Sequence, residues 1–284
     1  MNRQVTFLTL CVMALVVFTA PAQTASIKVS YDDSKPNPSS GETNTFKMQL
    51  AAGTESSLYY NTMSMYCDSI CSTPGGEHLL KEIQMKAWTV ETPGGGMTID
   101  MRRPAPRKEI WTYVAKDSKK STSTVYDKWG DTEGVYTEPF DEIQWQLADS
   151  VKNILGYECT KATTSYHGRR WTAWFTPEIP LQDGPWKFRG LPGLILEVSA
   201  SPDFSFVATG IETESGNMPS VYSPGNYTKV DRKKALSDAE YFFNHRMELL
   251  SARFGGRVTY KGNGKPEPKF IREQHAIETD YKSK

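Results

Sequence analysis

The sequence predicts a mainly β protein: a single curved antiparallel sheet or half-barrel of about nine to twelve strands, with one C-terminal amphipathic helix. Three observations predict it. Apolar and polar residues alternate with period two in one segment after another, as a sheet with one buried face requires. Clusters of Gly, Pro, Asn, Asp and Ser punctuate these runs, and no alternation of strand with helix separates them. The composition, 38 % hydrophobic and 23 % charged over 284 residues, can bury a core and excludes a disordered chain. Lys plus Arg and Asp plus Glu number 33 each, so the charge balance offers no footprint for nucleic acid or an anionic membrane.

The first segment reads as an address. Arg3 precedes an apolar run from Phe7 to Phe18, and small residues follow, the layout of a secretory signal peptide over residues 1–22 with cleavage after Ala22 (Ala20-Pro21-Ala22) or after Ala25. The run is too short for the roughly 20 residues of a spanning helix. Cys11 lies too early to be a lipidation site. The expectation is a periplasmic or secreted chain without a transmembrane span, its body a single β domain over 23–260.

Strands follow in series. Ile27, Val29 and Tyr31 alternate with Lys28, Ser30 and Asp32, and Phe46, Met48 and Leu50 with Lys47 and Gln49. Ile143, Trp145 and Leu147 repeat the pattern, as do Trp171, Ala173 and Phe175, then Leu194, Leu196 and Val198. Ser237-Asp238-Ala239-Glu240 has the form of a capping box, and Phe243, Met247, Leu250 and Phe254 place an apolar stripe on the helix 237–254 that it opens. Gly255 supplies the stop. Residues 261–284, polar and rich in Gly and Pro, are expected to form a flexible tail.

The most informative stretch is 154–198. Tyr157 to Tyr166 and Arg170 to Thr176 read as a hairpin turning at Gly168, and Gly190-Leu191-Pro192-Gly193-Leu194-Ile195 as a stiff corner entering a strand. Pro192 restricts one dihedral, while Leu191 and Ile195 are suited to fill core. This hexapeptide, with Gly156-Tyr157-x-Cys159, Trp174, Pro177 and Gly184-Pro185-x-x-Phe188 around it, resembles the GLPGLI family of exported proteins of unknown function. The resemblance implies export and lineage, and it carries no reaction with it. The order of strand, hairpin and Gly-Pro loop is also similar to the LolA-like lipoprotein carriers, whose half-barrel holds a lipid chain in a concave sheet. That likeness rests on architecture alone.

No catalytic residue is assigned. There is no G-x-S-x-G elbow, H-E-x-x-H or C-x-x-C, and His78, His167, His245 and His275 are not at metal spacing. His167, beside the Gly168 turn, is expected to be exposed. Met63-x-Met65-x-Cys67-x-x-x-Cys71 groups soft donors suited to copper, the one cofactor considered. Against copper stand a disulfide among Cys67, Cys71 and Cys159, which an oxidising compartment favours, and ordinary core packing of the methionines. Trp171, Trp174, Trp186 and Phe188 are candidates to line an aromatic groove, with core packing the plainer role. The reading is a non-enzymatic binding or accessory module that holds an apolar small molecule, an acyl chain or a hydrophobic peptide against the concave sheet, or that serves an envelope protein. A carboxylate-based hydrolase would show itself as two acidic side chains converging in one cleft.

Overall fold

The computed structural model describes residues 24–140, 143–200, 204–213, 216–261 and 266–282. Residues 1–22 and Cys11, read as the signal peptide, lie outside the described residues.

Twelve strands build one sheet: β1 (Ile27–Pro36), β2 (Thr43–Ala52), β3 (Ser56–Asn61), β4 (Tyr113–Asp117), β5 (Thr122–Trp129), β6 (Thr132–Pro139), β7 (Gln146–Ile154), β8 (Tyr157–Tyr166), β9 (Arg169–Thr176), β10 (Leu194–Ala200), β11 (Phe204–Glu212) and β12 (Thr228–Lys229). Their spatial order is β7-β8-β9-β10-β11-β1-β2-β3-β4-β5-β6-β12. Two antiparallel meanders, β1 to β6 and β7 to β11, are therefore sewn together where β11 pairs with β1. The short β12 adds to β6 in parallel.

Curvature follows from connectivity. Ten inter-strand steps of roughly 4.8 Å separate β7 from β6 across a flat sheet, about 48 Å. The chain covers that gap with residues 140–145, which reach roughly 24 Å when fully extended. The sheet must bend until its flanks approach, and it does so as an open, unclosed layer. Register shifts at Ala148/Val151, Trp174/Phe175 and Ala208/Gly210 supply local bends.

The alternation predicted for β1 and β2 is realised in register. Val29 faces Leu50 and Tyr31 faces Met48 across the pair, and all four are buried on the inner side. Two-residue turns at Leu155-Gly156 and His167-Gly168, all with positive φ, close the hairpins β7–β8 and β8–β9. The outer face has a smaller core of Ala51, Leu58, Tyr60 and Tyr113, against which Met65 and Met218 pack.

The inner side is largely filled by the chain between β9 and β10. This plug carries Trp186, Phe188 and Leu191 into the main core. Lys116 on β4, itself buried, ties it down by pairing with Asp183 and donating to the Gly184 carbonyl at 2.7 Å. Gly193 is dictated by space: a Cβ there would stand 2.0 Å from the Thr176 carbonyl oxygen. Leu191, Leu194 and Ile195 are all buried, and Tyr31 donates its hydroxyl to the Ile195 carbonyl at 2.7 Å.

Three expectations need correction. The chain after β3 forms two helices absent from the sequence reading, α1 (Thr62–Cys71), capped by the Asn61 side chain, and α2 (Gly76–Trp88). The C-terminal helix starts earlier than 237 and is broken: α3 (Arg232–Asn244) is capped by Asp231, which accepts from the Lys234 amide at 2.8 Å, and α4 (Arg246–Phe254) follows a kink at His245. Ser237 and Glu240 thus lie inside a helix, because the aspartate six residues before Ser237 takes the capping role. Gly255, with φ of 65°, ends α4 as expected. The tail expected to be flexible returns to the sheet over 266–282, burying Ala276, Glu278 and Tyr281, and includes the short α5 (Arg272–His275). No described helix is long and apolar enough to cross a membrane.

Candidate functional site

A cavity of about 170 Å³ remains between the sheet, the plug and the returning C-terminal segment. Its apolar wall comes from Phe46 and Met48 on β2, Val125 and Trp129 on β5, Tyr136 on β6, and Phe204 and Phe206 on β11, with Trp186 reaching in from the plug. Trp129 and Tyr136 lie ring to ring at 5.4 Å. Leu236 of α3 and His275, Ile277 and Glu278 of the C-terminal segment close the top. The plug thus fills most of the hollow that the sequence led us to expect and leaves a space of about one ring.

One side of this cavity is polar. Asp33, Ser34 and Lys35 line it from β1, Tyr59 from β3, Thr112 from the approach to β4, and Asp127 from β5. Asp33 is carried inward by the same alternation that buries Val29 and Tyr31. The Tyr59 hydroxyl donates to it, and Tyr59 stacks edge-on against Tyr31 at 6.0 Å. Burial pushes the Asp33 carboxyl up to about 7, against the opposing pull of the Tyr59 hydrogen bond and Lys35. Asp127 accepts from the Thr112 hydroxyl and the Lys128 amide, each at 2.7 Å, and burial raises its carboxyl also. Two acidic side chains therefore line one cleft, and both are set to hold protons more tightly than usual.

An ionic latch holds the top in place. The Lys187 ammonium, fully buried, sits between Glu138 at 2.7 Å and Glu278 at 2.9 Å. Arg232, at the start of α3, pairs with Glu278 and reaches Asp280 at 2.8 Å, while the His167 ring nitrogen Nδ1 lies 3.2 Å from Asp280. Burial works against charge on Glu278 and Asp280, yet these cations outweigh it and hold both carboxyls below their ordinary values. The backbone joins in: the Thr279 amide donates to the His167 carbonyl at 2.9 Å, and Arg169 donates to the Ala276 carbonyl at 2.8 Å. His167, expected at the surface, is consequently buried. His167, Glu278 and Asp280 offer ligand atoms within 4.8 Å of one another, but Lys187 and Arg232 already supply the positive charge a metal would bring.

The residues singled out from the sequence are distributed unevenly about this site. Trp186 lines the cavity; Trp171 and Phe188 lie behind it as solid core, with rings 4.8 Å apart. Trp174 is half-buried elsewhere, with the Lys152 ammonium 4.5 Å from its ring centre. None of Gly190, Leu191, Pro192, Gly193, Leu194 and Ile195 borders the cavity; they shape and anchor the plug that carries Trp186. The four soft donors do not converge. Met63, Cys67 and Cys71 follow one side of α1 at steps of four, whereas Met65 falls on another and packs with the outer core. Cys67, Cys71 and Cys159 are free thiols, and burial raises all three, Cys159 to about 11, which disfavours the thiolate that copper or a disulfide exchange needs. The sequence reading missed Asp33, Asp127 and the latch. For Asp33 a signal existed, an aspartate at the inward position of an alternating strand; for the others, partners come from strands distant in the chain.

Comparison with known proteins marks a stretch of the chain and gives it no role. A family model described as "Protein of unknown function (Porph_ging)" matches residues 166–197. This short match runs from the end of β8 through β9 and the plug into β10, and it fits the GLPGLI-like resemblance. No curated protein matches the chain. Two solved structures of PNGF-II, in C2 and P21 crystals, are similar at 15 % and 14 % identity with TM-scores of 0.47 and 0.46. They cover 77 % of this chain, which spans about a third of theirs, 33 % and 34 %. The likeness to lipoprotein carriers gains nothing from these matches.

Proposed function

We propose that this protein is a non-enzymatic binding module of the cell envelope that takes a ring-sized apolar group into the cavity beneath its C-terminal segment. The observation that carries the reading is the partly open, largely aromatic-walled cavity of about 170 Å³ on the inner face of the sheet. An apolar cavity of about 150 Å³ takes up benzene, whereas drug-sized ligands need roughly 300 Å³ or more. The occupant is then one aromatic or branched apolar group of a small molecule or of a hydrophobic peptide, rather than a whole acyl chain.

Toluene is the direct probe. Saturating toluene is expected to raise the melting temperature and to shift the resonances of residues around Val125 and Trp129. Val125→Phe, which fills the space, is expected to remove both effects. Absence of any response from the parent protein would sink the reading. Export is tested separately by the N-terminal sequence of protein from its native cell, expected to begin after Ala22 or Ala25.

A second reading, a carboxylate hydrolase, is favoured by Asp33 and Asp127 lining one cavity. A carboxyl near 7 suits a general acid. Its test is turnover of a chromogenic ester or glycoside panel that Asp33→Asn abolishes.

A further inference from the structure

We infer that the ligand of this cavity carries a primary ammonium group, and that Asp33 and Asp127 receive it while the aromatic walls hold its apolar body. The inference rests on the cavity being the binding site and names the class of compound it takes.

Both carboxyl groups face the cavity, yet their hydrogen bonds come from a tyrosine, a threonine and a backbone amide, none of them a cation. Elsewhere this chain gives its enclosed carboxylates cations: Glu278 and Glu138 have Lys187, Asp183 has Lys116, and Asp68 has Lys108 at 2.8 Å. Lys35, the cation on the cavity wall, instead lies 4.9 Å from the centre of the Phe46 ring. Lys35 acts on both carboxyls through space, yet neither carboxyl has a cation hydrogen-bonded to it as the other enclosed carboxylates do. An ammonium group supplies that cation, donating three hydrogen bonds to carboxylate acceptors. Trp129, Tyr136 and Phe46 line the rest of the cavity with rings that suit the apolar body of such a compound. A divalent metal fits less well, because it needs six or more oxygen ligands or retained waters and gains nothing from aromatic walls.

Charge coupling makes the binding pH-dependent. Asp33 is faced by Asp32, Lys35 and Tyr31 on its own strand, by Tyr59 from β3, and across the cavity by Asp127, His275 and Glu278. Asp127 is also influenced by Lys35 and Lys108. Since burial holds Asp33 near 7, an ammonium competes with a proton for it. Binding strengthens as the pH rises through that value.

Toluene and benzylamine share one ring and differ in the ammonium, so their affinities, measured by titration calorimetry at pH 8 and pH 6, separate the two levels of the argument. Benzylamine is cationic at both values. It is expected to bind about tenfold or more tightly than toluene at pH 8, as a charged hydrogen bond allows. That preference is expected to shrink up to about tenfold at pH 6, and in Asp33→Asn and Asp127→Asn at pH 8. Circular dichroism confirms that both variants fold. Toluene binding as well as benzylamine at pH 8 overturns the ammonium inference and leaves the cavity reading standing. An undiminished preference in both variants, or one insensitive to pH, overturns the assignment to these carboxyls. If neither compound binds, the cavity reading itself falls.

Discussion

Asp33 follows Val29 and Tyr31 on the inward side of β1, so the pattern that builds the core also places a carboxyl where burial opposes its charge. Because its folded value near 7 lies above the ordinary value of 3.8, the folded state holds a proton that the unfolded chain releases. Asp33 therefore costs stability progressively as pH rises from about 4 to 7, and in full above that. Asp33→Asn keeps an acceptor for Tyr59 and removes the charge. It is expected to stabilise the protein by on the order of 1–2 kcal/mol at pH 8 and hardly at all at pH 4, read from paired thermal melts. An equal gain at both would contradict the assignment. Gly193 represents the opposite constraint, one of space. Gly193→Ala forces a methyl group toward the Thr176 carbonyl and is expected to destabilise by about 3 kcal/mol or more. Leu191→Ala, which leaves the same backbone intact, should cost about 2–5 kcal/mol through lost burial and the cavity left behind. Urea unfolding of the two variants checks both values.

Among the elements, the C-terminal segment is the one whose attachment depends most directly on charge. Glu278 and Asp280 are held below their ordinary values, so their stabilising contribution is complete above about pH 4.5 and is lost as the pH falls below it. His167 is lowered by burial, and so resists the proton that the unfolded chain takes up below about 6.5. All three act in the same direction: acid loosens the segment, whereas acid relieves Asp33. Hydrogen exchange should show faster exchange at the Thr279 amide at pH 4 than at pH 7, after correction for the intrinsic rate. Arg232→Ala leaves buried carboxylates with fewer cations and is expected to cost about 3–5 kcal/mol while unfastening residues 276–281. The plug is fastened differently, by Lys116, by the Tyr31 hydroxyl and by Leu191 in the core. The stretch matched by the family model covers β9, this plug and the start of β10.

At the scale of the molecule, the pairing of β1 with β11 joins residues roughly 180 apart in the chain, and the sheet is complete only when that seam closes. Non-local pairing of this kind makes for slow, cooperative folding. A truncation after residue 261 is expected to retain the far-ultraviolet signature of the sheet, to melt at a lower temperature, and to lose its toluene response because the top of the cavity is gone. Retention of that response in a folded truncation would show that the returning segment is not part of the site.

The sequence by itself determined the β class, the inward and outward faces of β1 and β2, the hairpin at Gly168, the stop at Gly255 and the stiff corner of the hexapeptide. These are local properties: a period of two, a positive φ or a fixed dihedral is written in neighbouring residues. The tertiary structure alone decided that the hollow is mostly plugged, that residues 266–282 return as its cover, and that Asp33 and Asp127 line the same cavity. It also decided that the four soft donors part company around α1, since a helix spreads what a linear motif lists together. Burial, charge compensation and cavity volume depend on partners brought together across the chain, so neither alternation nor composition specifies them.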